Sequence, residues 1–201
     1  MRKSLAIPLA LFLASASLLL MAADAPPPAL GVAKFSADGK LLKPQDLANW
    51  VFVGTALGMG YNEAQFNPSA PGLFQVVQME PAAFQYFMKN GHFAPGSMML
   101  LSFYGADSRV SNNKTGYVQS ALKGQEIHLI DPARKADNGH VFYSFQVDGN
   151  EGKPVPPGNE CVRCHMTHGA FEGAFIQFYP AMRGRIPKEA LEKALADHDI
   201  R

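Results

Sequence analysis

The chain has 201 residues, 47% of them hydrophobic and 10% aromatic, with 18 basic residues against 17 acidic and a formal net charge of +1. No basic block stands out, which argues against a nucleic-acid partner. The apolar fraction points to a globular fold rather than a disordered chain.

Residues 1–25 begin with Arg2 and Lys3, continue as an apolar run to Met21 and end in small residues. That is the pattern of a bacterial secretory signal peptide; an uncleaved anchor is the alternative, because the run approaches membrane-spanning length. Either way the mature chain is expected in the periplasm or tethered on that side. Residues 26–31 form a proline-rich, extended leader. The rest of the chain suits one domain with its own core, and we find no internal repeat.

Residues 44–50 read as a short helix feeding the apolar run WVFVGTAL, residues 50–57. Residues 58–72, rich in Gly, Asn and Pro, read as loop, and residues 73–79 as a strand. A helix is expected over residues 81–90, with Pro81 first, Phe84, Phe87 and Met88 on one face and Gly91 as the stop. SMMLLSFY, residues 97–104, is the next strand; Met99, Leu101 and Phe103 then share one face, opposite Met98, Leu100, Ser102 and Tyr104. Residues 117–122 and 125–130 read as a hairpin turned at Lys123-Gly124. Residues 139–147 form a further strand, 153–157 an extended linker, 161–168 a short helix and 175–179 a strand or extended piece. The C-terminal segment 186–201 carries a helix over 187–197 with Pro187 first and Glu/Lys pairs outward. The expected fold class is α+β, a mainly antiparallel sheet with a few short helices.

The chain's only two cysteines lie in NECVRCHMTHG, residues 159–169. Cysteines at i and i+3 on one helical turn share a face. Their sulfurs can add to the two vinyl groups of a haem, and the imidazole of His165 then comes beneath the porphyrin within reach of iron. C-x-x-C-H reads as c-type haem attachment for this reason, and attachment outside the cytoplasm agrees with the signal peptide. A redox dithiol wants a thioredoxin-like setting that is missing here. Zinc on Cys161, Cys164 and His168 lacks the separated ligand pairs of structural sites. A disulfide closing so short a loop stabilises little. Covalent haem, one per chain, is the favoured reading, with Cys161 and Cys164 as tethers and His165 as the iron ligand. The other ring nitrogen of His165 then needs an acceptor. His168 lies on the same side of the haem as His165, so it is expected to be solvated or paired with a carboxylate.

Several stretches in order resemble the cytochrome P-460 family, which includes the cytochromes c′-beta: NWVFVGTAL, MEPAAFQYFMKNGHFAPGS, TGY at 115–117, IDPARK at 130–135, HVFYSF at 140–145, and CVRCH followed by FIQFYP. The resemblance implies a haem domain over residues 32–185, haem attached near the C-terminal end, and paired subunits in a homodimer. Enzymes of the P-460 type oxidise hydroxylamine and carry a lysine joined to the porphyrin, five residues beyond the glycine of the G-[ST] turn. From Gly96 that position is Leu101, and neither Leu100 nor Ser102 is a lysine. The cross-link is expected to be absent, and no distal carboxylate base can be placed.

Met99, Leu101 and Phe103 are then expected over the haem. An apolar lid of this kind admits small uncharged ligands such as NO or CO. Alternatively Met99, or less readily Met98 or Met59, supplies a sixth ligand for single-electron transfer to a redox partner protein; Met99 as a core methionine is the plainer reading. Hydroxylamine oxidation remains the third possibility. Phe142, Phe145, Phe175, Phe178 and Tyr179 are expected to wall the core and the haem edge. Arg134 and Arg163 are candidates for propionate pairing, and His92, His128 and His140 are alternative sixth ligands that more often sit at surfaces or caps.

Overall fold

The computed structural model describes residues 30, 33–60, 67 and 70–197. The signal segment, and the leader apart from Leu30, lie outside the described residues. Among the described residues seven strands form one antiparallel sheet in the order β1-β7-β6-β5-β4-β3-β2. They are β1 (Leu41–Leu42), β2 (Val51–Leu57), β3 (Phe74–Met79), β4 (Ser97–Asp107), β5 (Val118–Ile130), β6 (His140–Phe145) and β7 (Glu151–Pro154). Three α-helices accompany them among the described residues: α1 (Pro81–Asn90), α2 (Glu160–His168) and α3 (Lys188–Leu195). The expected α+β class with a mainly antiparallel sheet is the class observed. No helix among the described residues is long and apolar enough to cross a membrane.

α1 has the expected bounds. Glu80 caps it, its carboxylate accepting from the N–H groups of Ala82 and Ala83 at 3.1 and 2.7 Å, and Gly91 ends it at φ 73°. Ala83 and Phe87 are its buried side chains.

The expected hairpin at Lys123-Gly124 is not a turn. One strand, β5, runs straight through it. Phe103 pairs with Gly124 and Tyr104 with Leu122, so Lys123 is an extra residue on the β5 side. This is a β-bulge, and the sequence cue for a bulge, a glycine inside an apolar alternation, overlaps the cue for a turn. The 153–157 linker likewise begins as β7, which pairs with β6 at Tyr143↔Pro154.

The segment 175–179 also departs from expectation: it holds a 3-10 helix over Ile176–Phe178 rather than a strand. Buried Gln177 decides this. Its amide donates to the His168 carbonyl at 2.7 Å and its oxygen accepts from Ala170 N–H at 3.0 Å, so the segment is tied to the end of α2 and not to the sheet. The short helix at 44–50 reduces to a 3-10 turn over Leu47–Asn49.

Alternation sends the two halves of β4 to opposite faces. Met98 and Leu100 join Leu41, Trp50, Ile127, Leu129, Tyr143 and Phe145 in a core on one face. Met99 belongs to the other face, with Val53, Val77, Met79, Phe87, Phe175 and Met182. α2 lies on that second side.

Candidate functional site

Between the sheet and α2 lies a cavity of about 490 Å³, within the range at which proteins enclose small molecules and cofactors. Cys161, Cys164 and His165 line it from α2; Met99, Leu101 and Phe103 from β4; Glu126 and His128 from β5; Phe142 from β6.

α2 starts where Asn159 accepts from Val162 N–H at 3.2 Å, an ordinary N-cap. Their i, i+3 and i+4 spacing brings Cys161, Cys164 and His165 to the cavity wall together. The cysteines are free. Burial pushes both thiols up from 9.0, and the charge of Glu126 adds to the rise at Cys161, as Cys161 itself does at Cys164. At neutral pH both are thiols in the metal-free chain. Among the described residues no three His, Cys, Asp or Glu side chains gather as a metal cluster.

His165 is the most constrained side chain of the site. Its Nδ1 lies 2.8 Å from the carbonyl oxygen of Gly173, so Nδ1–H donates there and Nε2 keeps its lone pair free. Burial pushes the ring's pKa down to about 4, against an upward pull from the Gly173 bond. The imidazole is therefore neutral near pH 7, as a metal ligand must be. The acceptor comes from a tight turn, Phe171-Glu172-Gly173-Ala174, with φ of 44° at Glu172 and 65° at Gly173. Positive φ at both central residues is the I′ pattern. A Cβ at position 173 would collide with Met166 and stand 2.9 Å from Cε1 of His140, so glycine is required there.

Of the other residues singled out by sequence, Met59, Arg163, His168, Phe175, Phe178 and Tyr179 also line the cavity. Met98 and Phe145 are packed in the core on the opposite face. Arg134 is also elsewhere: its guanidinium lies 3.8 Å over the ring of Phe35, and Asp131 is 3.5 Å from it. His92 packs edge-on against Tyr86 and does not reach the cavity. His168 is paired with a carboxylate, Asp197, at 2.7 Å. His128 and His140 are buried rather than superficial, with His128 Nε2 and His140 Nδ1 3.0 Å apart.

Glu126 is the residue that sequence reasoning missed. It faces Leu101 directly across the β4–β5 ladder and turns into the cavity, and burial raises its carboxyl pKa above 4.5. The signal was there in QEIHLI, where Glu126 and His128 share a face at i and i+2, but a turn at Lys123-Gly124 obscured the alternation.

The profile of the Cytochrome P460 family matches residues 44–175, more than half of the chain. The chain belongs to the cytochrome P-460 family. Membership makes haem its cofactor, and the cavity of this cytochrome fits that group. It is apolar over Val77, Leu101, Phe103 and Phe142 and presents the neutral imidazole of His165, whose Nε2 is left free by the Nδ1–Gly173 bond. Two thiols stand on the same helix. No curated protein matches the chain.

Proposed function

We propose that the chain is an exported mono-haem c-type cytochrome whose haem site binds small uncharged diatomic ligands such as NO. Cys161 and Cys164 form the thioethers, and His165 ligates the iron through Nε2. Bound haem supplies the iron that a diatomic ligand can occupy. The chain's own residues hold that site apolar, aim the imidazole and exclude bulky or charged ligands. The signal-like residues 1–25 support a periplasmic location, and the family resemblance supports a homodimer.

The observation that carries this reading is the register of the sheet. Met99 pairs with His128, and His128 with Phe142. His128 and Phe142 both pack against the ring of His165, at centroid distances of 5.0 and 4.7 Å. Met99 therefore belongs to the row of side chains that supports His165. A sixth ligand would have to come from a side chain outside that row, and His128, which itself packs on His165, is unsuited for the same reason. One step along the strands, about 7 Å away, comes the row Val77–Leu101–Glu126. Its two aliphatic members offer no ligand, and Leu101 stands where a cross-linking lysine is expected.

Single-electron transfer with Met59 as a sixth ligand is the second reading; Met59 lines the cavity from the end of β2. Hydroxylamine oxidation has Glu126 in its favour as a carboxyl that can exchange protons, and Leu101 against it.

Absorption spectra of the purified holoprotein, ferric, then dithionite-reduced, then with NO, test these readings. A high-spin spectrum that shifts promptly with NO, unchanged in Met99→Leu and Met59→Leu, is the expected result. A sulfur-to-iron charge-transfer band abolished by either substitution overturns it in favour of electron transfer. A strongly red-shifted ferrous band overturns the reading of Leu101.

A further inference from the structure

We propose that His128 and His140 form a hydrogen-bonded pair that positions His165, holding both the plane of its ring and the carbonyl that orients it. The proposal rests on His165 being the iron ligand.

Four contacts close into a ring. His165 Nδ1 reaches the Gly173 carbonyl at 2.8 Å. Gly173 lies against the His140 ring so closely that a Cβ would stand 3.1 Å from its Nδ1. That same His140 Nδ1 is 3.0 Å from His128 Nε2. The circuit returns where His128 meets His165 edge-on, at 5.0 Å between centroids and 72° between planes. A shift of either histidine of the pair therefore moves one of the two supports of His165.

The sheet makes the pair possible. His128 is opposite Phe142 and Ile130 opposite His140, so the two histidines are diagonal neighbours on one face, close enough for long or aromatic side chains to meet. His128 also stacks on Phe142, at 4.3 Å and 15°, which fixes its plane.

Packing alone does not call for histidine at 128. A phenylalanine would fill a similar slot and stack equally well on Phe142. His128 is only 6% exposed, and its Nδ1 is buried without a hydrogen-bond partner, an arrangement that costs stability. An orphaned acceptor is cheaper than an orphaned N–H. The proton thus belongs on Nε2, where it donates to His140. The feature that histidine adds over phenylalanine is the bond to His140, and through it the link to Gly173.

The iron–imidazole stretching band of the dithionite-reduced holoprotein reads the orientation of His165 directly. His128→Phe keeps the ring wall and breaks the bond, and the band is expected to shift and broaden. His128→Gln can still donate to His140 and is expected to restore much of the wild-type band. If the wild type shows an iron–imidazole band and both variants keep it unchanged, the pair does not position His165. If the wild type shows no such band although its reduced spectrum is five-coordinate, the assignment of His165 fails instead, so the two failures are distinguishable; if the reduced wild type is six-coordinate, the ¹⁵N shifts of the CO-bound form described next decide. Should His128→Phe not fold, ¹⁵N shifts of the wild-type CO-bound form decide. A protonated, hydrogen-bonded His128 Nε2 beside an unprotonated Nδ1 is expected, and the reverse tautomer overturns the proposal.

Discussion

The two faces of the sheet draw on the same strands and nearly the same residue types, yet one is filled throughout while the other, packed around Phe87 and Met182, also leaves a cavity. On the filled face Met98, Leu100, Ile127, Leu129 and Tyr143 close against Leu41, Trp50 and Phe145. On the hollow face Met99, Leu101 and Phe103 look into a cavity of about 490 Å³. The difference is in what covers them. Trp50 and Leu41, from the chain entering the sheet, press into one side. On the other side α2 is anchored at its end by Gln177 and by the His168–Asp197 pair, and a cavity remains between its cysteines and β4. Apolar alternation therefore does not distinguish a core from a cofactor pocket. The ionisable residues set into the apolar row, Glu126 and His128, do; the polar pair buried on the filled face, Ser102 and Gln125, is neutral and bonded to itself at 3.1 Å.

The largest expected effect falls on the hollow side. Changing Cys161 and Cys164 together to Ser is expected to abolish haem that survives denaturing gel electrophoresis, checked by haem staining. Persistent staining would show attachment elsewhere.

Leu100 and Leu101 are neighbours in sequence on opposite faces, which makes them the sharpest contrast. Leu100→Ala removes a side chain only 1% exposed and is expected to cost about 3 kcal/mol, seen in denaturant unfolding, with an unchanged haem spectrum. Leu101→Ala is expected to cost under about 1 kcal/mol, because it enlarges an existing cavity, while accelerating ligand entry in stopped-flow mixing with CO. Equal stability losses would mean that the hollow face is packed as tightly as the other.

Glu126 gives a pH test. Its carboxyl pKa is raised in the folded chain above 4.5 by burial, so the folded state holds the proton more tightly than the unfolded one. Its stabilising contribution is full below the ordinary value and is lost as pH rises through the folded pKa. Glu126→Gln is accordingly expected to raise the melting temperature by a few degrees near neutrality, with the advantage vanishing on acidification. An advantage independent of pH would show that Glu126 is not desolvated.

The smallest effect belongs to His168. Its side chain is 24% exposed and that of Asp197 28%, so the pair is partly screened. Asp197→Asn is expected to lower stability by about 0.5 kcal/mol, without altering the haem spectrum. A spectral change would mean that the pair helps to seat α2 over the cavity.

Much of this was legible without coordinates. Proline at the start and glycine at the stop delimit α1 because each residue's backbone preference is local. The two faces of β4 follow from alternation, and C-x-x-C-H on one helical turn puts two thiols and an imidazole on one cavity wall because three residues suffice to define it. Legibility ended where local cues have two meanings. Lys123-Gly124 carries the signal of a turn and of a bulge alike, and only pairing with Phe103 and Tyr104 decides between them. The run 175–179 has the composition of a strand, yet a single buried glutamine holds it to α2.

The sequence by itself determined the chemistry that can happen: two thiols and an imidazole on one helix, an apolar strand, and leucine where a family lysine is expected. Tertiary structure alone decided the surroundings of that chemistry. The acceptor for His165 comes from a turn eight residues on, at Gly173. The carboxyl of Glu126 meets Leu101 from another strand, and His128 meets His140 across the sheet diagonal. Such partners are set by strand register and by loop closure, which depend on contacts between segments distant in the chain, so no local stretch contains them.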